Sequence, residues 1–180
     1  MNDKLPSRKQ ALKFLRESGC SRNVIKHCKT VAKLAVEIAK SCEKKEIKID
    51  LQLVEIGALL HDIGRSKTHS IYHAVAGVKI AKSLGLSKPI ISIIERHVGG
   101  GITAKTAKQL GWPKGVYIPQ TLEEKIVAYA DKLIEGSNRV PIEKTIGKFR
   151  SDMLPPSAIT RLEKLHEEML DLVGDCKCQS

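Results

Sequence analysis

An apolar stretch, Leu51 to Leu60, ends abruptly in His61-Asp62-Ile63-Gly64-Arg65. Leu51, Val54, Ala58 and Leu59 recur at helical spacing, and Asp50 stands where a helix N-cap belongs. The helix so predicted delivers an imidazole and a carboxylate side by side at its end. Both groups suit first-row divalent metals. Neighbours on a helix point about 100° apart, so the two can share one ion only where the backbone leaves its helical course. Gly64 makes such a break inexpensive. No apolar run follows that would bury the pair. Any further ligands must come from elsewhere in the chain.

The rest of the sequence also has helical period. Ser7 and Gln10 have capping-box spacing ahead of Ala11, Leu12, Phe14 and Leu15, and Gly19 is a stop signal. A long helix is predicted from Arg22 to Glu43, with the stripe Val24, Cys28, Val31, Leu34, Ala35 and Ile38. His27 lies on or beside that stripe; alone, it reads as a core histidine with a satisfied hydrogen bond. Further helices are expected from Ile71 to Leu84, closed by Gly85, from Ile90 to His97, and from Thr103 to Leu110. Gly99-Gly100-Gly101 could cradle an anion ahead of a helix, but reads better as a flexible loop. Thr121 and Glu124 form a capping box for a helix from Leu122 to Glu135. Asp131 falls one position off its apolar stripe, where a solvated carboxylate is the default. Residues 141 to 153 form one short helix, and Ser157 caps a last one ending at Val173, with Leu162, Leu165, Met169 and Leu172 inward. No stretch alternates with the two-residue period of a strand. The expected fold is all-α: one helical-bundle domain over residues 1–180, with a C-terminal helical extension at 141–173 and a flexible tail at 174–180.

Hydrophobic residues make up 42% of the chain but aromatics only 3%, so the core must be aliphatic. So few aromatic rings argue against a base-stacking platform for nucleic acid. Lys+Arg number 31 against 20 Asp+Glu, a formal charge of +11. That charge would attract phosphate-bearing ligands; spread along every segment, it also describes an ordinary solvated surface. No apolar run approaches the roughly 20 residues that span a bilayer. Met1-Asn2-Asp3-Lys4-Leu5-Pro6 lacks the apolar core of a secretory signal. The five cysteines, Cys20, Cys28, Cys42, Cys176 and Cys178, have no framework spacing, and reduced thiols in a cytoplasm are expected. Cys176-Lys177-Cys178 could bind metal, but a frayed terminus is the plainer reading.

Four stretches recur in a telling order: Val24-x-x-His27-x-x-x-Val31-Ala32, Ala58-Leu59-Leu60-His61-Asp62-Ile63-Gly64-Arg65, His73-x-x-x-Gly77, and Ala128-Tyr129-Ala130-Asp131-Lys132-Leu133. Over roughly residues 20 to 140 this set resembles the HD-domain superfamily of metal-dependent phosphohydrolases. The resemblance implies an all-α bundle around one or two divalent ions (Mn, Fe, Ni, Co, Mg or Zn). It implies His27, His61, Asp62 and Asp131 as ligands of a shared metal, with Asp62 bridging to a second. His73 and His97 match the region holding that second ion, although the chain has Arg96-His97 where such members often carry a His-His pair. Arg65 matches a basic position beside the substrate phosphate, and His69 is an added ligand or substrate contact. The implied reaction is attack of metal-activated water on phosphorus, with Arg65 neutralising charge, Asp62 able to take a proton, and His69 or His97 able to give one. A small phosphorylated substrate, of nucleotide type, is expected; nucleic acid is the less favoured partner, and no membrane is involved. Two rivals stand beside this: a non-catalytic, metal-stabilised module that binds nucleotide or RNA, and a di-iron oxygenase of the same superfamily.

Overall fold

The computed structural model describes residues 5–174. In chain order it contains α1 (Arg8–Glu17), α2 (Arg22–Glu43), α3 (Leu51–Leu60), a 3-10 turn (Ile63–Ser66), α4 (His73–Ser83), α5 (Lys88–Arg96) and α6 (Ala104–Gln109). Then follow α7 (Leu122–Lys132), a hairpin of β1 (Ile134–Glu135) and β2 (Asn138–Arg139), α8 (Ile142–Ser151) and α9 (Pro156–Val173). Full capping boxes open α1 at Ser7 and α7 at Thr121, as their sequences predict.

The all-α expectation holds for the architecture: α2 packs along α3 and α7, and α5 closes against α3, α4 and α7. Leu59, Leu60, Ile93, Ile94 and Ile126 lie fully inside, making the core aliphatic. Gly57 on α3 admits Ile93 of α5; a Cβ there would lie 2.3 Å from Ile93 Cδ1. The last helix returns to the same core through Leu162, Leu165 and Met169.

Three local expectations are corrected. α4 begins at His73 rather than Ile71. α7 stops at Lys132 rather than Glu135, because the chain turns back at once into the hairpin. Glu135 pairs with Asn138 across a two-residue loop, with Gly136 at φ 63°, the geometry that favours glycine first in a tight hairpin turn. The Gly99–Gly101 segment, expected as a flexible loop, is a loop packed against the last helix. It is the seat of α9: a Cβ on Gly100 would lie 2.7 Å from the Leu162 backbone nitrogen, and Arg161 Nε donates to Gly101 O at 3.0 Å.

Among the described residues no helix is long and apolar enough to cross a membrane. Met1 to Lys4 and the expected tail beyond Gly174, with Cys176 and Cys178, lie outside the described residues.

Candidate metal centre

Helix ends build the centre. His61 is the C-cap of α3, His97 the C-cap of α5, His73 the first residue of α4, and Asp131 lies in the last turn of α7. His27 comes from the second turn of α2. Three helix C-termini therefore converge, and their dipoles favour a cation between them. Asp62 leaves helical geometry at φ −99°, ψ 15°, and the 3-10 turn that follows sets its carboxylate beside the His61 ring.

Each imidazole is oriented by a backbone carbonyl. His61 Nδ1 donates to Ala58 O at 2.7 Å, His73 Nδ1 to Ser70 O at 2.7 Å, His97 Nδ1 to Ile94 O at 2.8 Å, and His27 Nδ1 to Gly136 O at 2.9 Å. Those of Ala58 and Ile94 belong to the last turns of their helices, where carbonyls lack intrahelical partners. A carbonyl can only accept, so Nδ1 carries the hydrogen and Nε2 keeps a lone pair. All four Nε2 atoms point inward, the arrangement that prepares histidines as ligands.

The Asp62 carboxylate divides these imidazoles into two pairs. Its Oδ2 lies 3.8 Å from His27 Nε2 and 3.6 Å from His61 Nε2, while Oδ1 lies 3.2 Å from His73 Nε2 and 3.5 Å from His97 Nε2. Asp131 Oδ1 completes the first group at 2.9 Å from His27 and 3.4 Å from His61. Within each of two sets, His27-His61-Asp131 and His61-Asp62-His97, the donor atoms lie within 4.8 Å of one another. His73 and His97 hold their Nε2 atoms 2.9 Å apart, two lone pairs that repel unless a proton or metal lies between them. His61 Nε2 and Asp62 Oδ1 are buried without a hydrogen-bond partner, a costly condition that a cation relieves. The donor set thus fits a divalent ion.

No apolar run follows the pair in sequence, yet it is buried. His61 is 0% and Asp62 2% exposed, because the walls come from α2, α4, α5 and α7 rather than from the residues that follow in sequence. Burial alone would raise the Asp62 pKa, but His61 and His97 hold its carboxyl far below the carboxylate range. Burial likewise opposes ionisation of Asp131, and the Lys132 ammonium, with the imidazoles of His27 and His61 beside the carboxylate, overcomes it. Burial, then repulsion from His97, lowers His73 to about 3. Burial also lowers His97. His61 moves upward: burial resists, and the charges of Asp62 and Asp131 prevail.

His73 therefore makes metal-free protein acid-sensitive. Its folded pKa is depressed below the unfolded value of 6.5, so its contribution is complete above pH 6.5 and is lost as pH falls towards 3. Between pH 6.5 and 5 the wild type should lose up to about 2 kcal/mol more stability than His73→Gln. Urea titrations in chelator measure this; parallel slopes would contradict it.

Arg96, which occupies the first position of the expected His-His pair, turns away from the centre. It clamps Glu124 at 2.8 and 3.0 Å and donates to Val116 O at 3.0 Å. Arg65 Nε donates to Asp62 Oδ2 at 2.5 Å, and its Nη1 to His69 O at 3.2 Å. His69 is exposed on the wall of the adjoining cavity, outside the buried cluster. The geometry thus brings together His27, His61, Asp62, His73, His97 and Asp131, and places Arg65 and His69 at its mouth. Sequence reasoning missed Lys132, whose ammonium pairs with Asp131 Oδ2 at 2.6 Å, and the Gly136 carbonyl that orients His27. The Gly-Ser of the hairpin was the one available signal for the latter.

The HD domain family profile matches residues 24–135, and the chain belongs to that family. An uncharacterized protein of Methanocaldococcus jannaschii is 47% identical over 156 residues, covering 86% of this chain and 92% of that one. A tRNA (cytidine(56)-2'-O)-methyltransferase of Picrophilus torridus is 41% identical over 170 residues, covering 94% of this chain and 48% of the enzyme. The chain thus spans about half the length of that methyltransferase. Among solved structures, the HD domain of the L. monocytogenes phosphodiesterase PgpH, in complex with cyclic-di-AMP, shares the fold. Its TM-score is 0.55 at 19% identity, covering 95% of this chain and 100% of that one.

Proposed function

We propose that the chain is a metal-dependent phosphohydrolase acting on a phosphomonoester or phosphodiester of nucleotide type. The observation carrying this reading is the Asp62 carboxylate, whose two oxygens face two different imidazole pairs. His27, His61, Asp62 and Asp131 would hold one ion; His73, His97 and the other Asp62 oxygen would hold a second. A divalent ion lowers the pKa of water to about 7, making hydroxide available at neutral pH. Arg65, part exposed at the mouth, neutralises charge on the phosphoryl oxygens. His69, on the same wall, gives a proton to the leaving oxygen. His97 is buried with Nδ1 committed to Ile94 O, so its role is ligation.

The test uses chelator-stripped protein reloaded with Mn²⁺, Ni²⁺, Co²⁺ or Mg²⁺ and offered p-nitrophenyl phosphate and bis-p-nitrophenyl phosphate. Metal-dependent release of nitrophenol from either ester is expected. Stoichiometric metal binding with no release above a protein-free control would overturn the hydrolase reading. That outcome would favour a non-catalytic module serving RNA, a reading supported by likeness to about half of a tRNA methyltransferase.

A further inference from the structure

A cavity of about 690 Å³ opens over the candidate metal centre. On one side lie His27, Asp62 and Asp131; on the other stands one face of α8, with Lys144, Thr145, Lys148 and Phe149, and its C-cap Asp152. These positions are three and four apart, so they share a helix face by necessity. α8 lies beyond residues 24–135, which match the family profile.

The helix is fixed in place. Ile142 is buried in the core, Thr145 Oγ1 donates to Lys132 O at 2.6 Å, and Arg150 pairs with Glu163 at 3.1 Å. The Lys132 carbonyl directly follows Asp131, so the wall is tied to the centre it faces. Three of the cations lining the cavity are already paired: Arg65 with Asp62 at 2.5 Å, Lys132 with Asp131 at 2.6 Å, and Lys144 with Glu135 at 2.6 Å. Lys148 is exposed, and among the described residues it makes no ion pair within 4 Å, its charge acting on Glu135 only at longer range. Beside it Phe149 lines the same cavity, half-buried, its ring edge near Gly99. An unpaired ammonium next to an aromatic ring offers one group for a phosphate and one for a base.

We propose that α8 selects the substrate. Lys148 receives a phosphate other than the one cleaved, and Phe149 stacks the adjoining base. The preferred substrate then carries two phosphates linked through a nucleoside. This rests on the phosphohydrolase reading and names its substrate class. A free dinucleotide and the end of an RNA strand share that chemistry.

The experiment measures binding and turnover separately on manganese-loaded protein. Calorimetry uses a 5′-phosphorylated diadenylate with a phosphorothioate link, and a short RNA oligonucleotide of the same end sequence. Lys148→Gln and Phe149→Leu should each weaken the dinucleotide about tenfold, and Lys148→Arg should restore most of the loss. Tighter binding of the RNA than of the dinucleotide would identify a strand end as the source; the reverse would identify the free dinucleotide. Lys148 is exposed, so its variants isolate recognition from folding. Unchanged affinity for both probes in Lys148→Gln and Phe149→Leu would overturn the proposal, even if bis-p-nitrophenyl phosphate is hydrolysed. Weakened binding in the variants, with no hydrolysis of that ester by the wild type, would retain the seat and remove the hydrolase reading.

Discussion

Asp62→Ala is expected to release bound metal and abolish turnover. One carboxylate serves both imidazole pairs, with Oδ1 towards His73 and His97 and Oδ2 towards His27 and His61. Removing it therefore breaks both candidate ion sites at once. Loss of an orienting group beyond the ligands already costs about 10–100-fold in metal affinity, so loss of a shared ligand should exceed about a hundredfold. Metal that binds only the folded chain raises its stability by about 2.7 kcal/mol at a hundred times its dissociation constant. Added Mn²⁺ should thus raise the melting temperature of the wild type and leave Asp62→Ala unmoved. A variant that keeps its metal or its activity would contradict this assignment.

The second large effect belongs to Gly64. A Cβ there would lie 1.9 Å from the His73 carbonyl oxygen and 2.5 Å from the Gly77 nitrogen, both backbone atoms of α4. Neither can give way without moving the helix that carries His73. Gly64→Ala should therefore destabilise the fold by more than about 3 kcal/mol. Gly147, inside α8, is the internal control: a Cβ there meets nothing within 4 Å. Gly147→Ala should stabilise by up to about 1 kcal/mol through helix propensity. Urea denaturation of both variants checks the pair, and a Gly64→Ala protein within 1 kcal/mol of wild type, on the order of an ordinary surface change, would contradict the packing described.

Gly64 also marks where sequence reasoning reached its limit. The break after His61-Asp62 was legible, since adjacent ligands on a helix cannot converge. The glycine was credited with backbone freedom, whereas its larger role is the contact with α4, a partner remote in sequence. The same limit explains the buried pair. Nothing after Arg65 could cover it, and the cover comes from α2, α4, α5 and α7. Helix ends such as Ser7 and Thr121 were readable because capping is local. The hairpin was not, because two-residue strands carry no alternation. His27 and Asp131 were ambiguous one at a time: a near-stripe histidine and a mid-helix aspartate have ordinary explanations. Only their order with His61-Asp62 and His73, carried by the family resemblance, distinguished them. The carbonyls of Ala58, Ser70, Ile94 and Gly136 leave no mark in a sequence, since every residue has one.

Anomalous diffraction from manganese-soaked crystals tests the metal centre most directly. The predicted peak lies among the inward Nε2 atoms of His27 and His61 and the facing oxygens of Asp62 and Asp131. Manganese absent from that space, or bound elsewhere while those four side chains hold only one another, would contradict it.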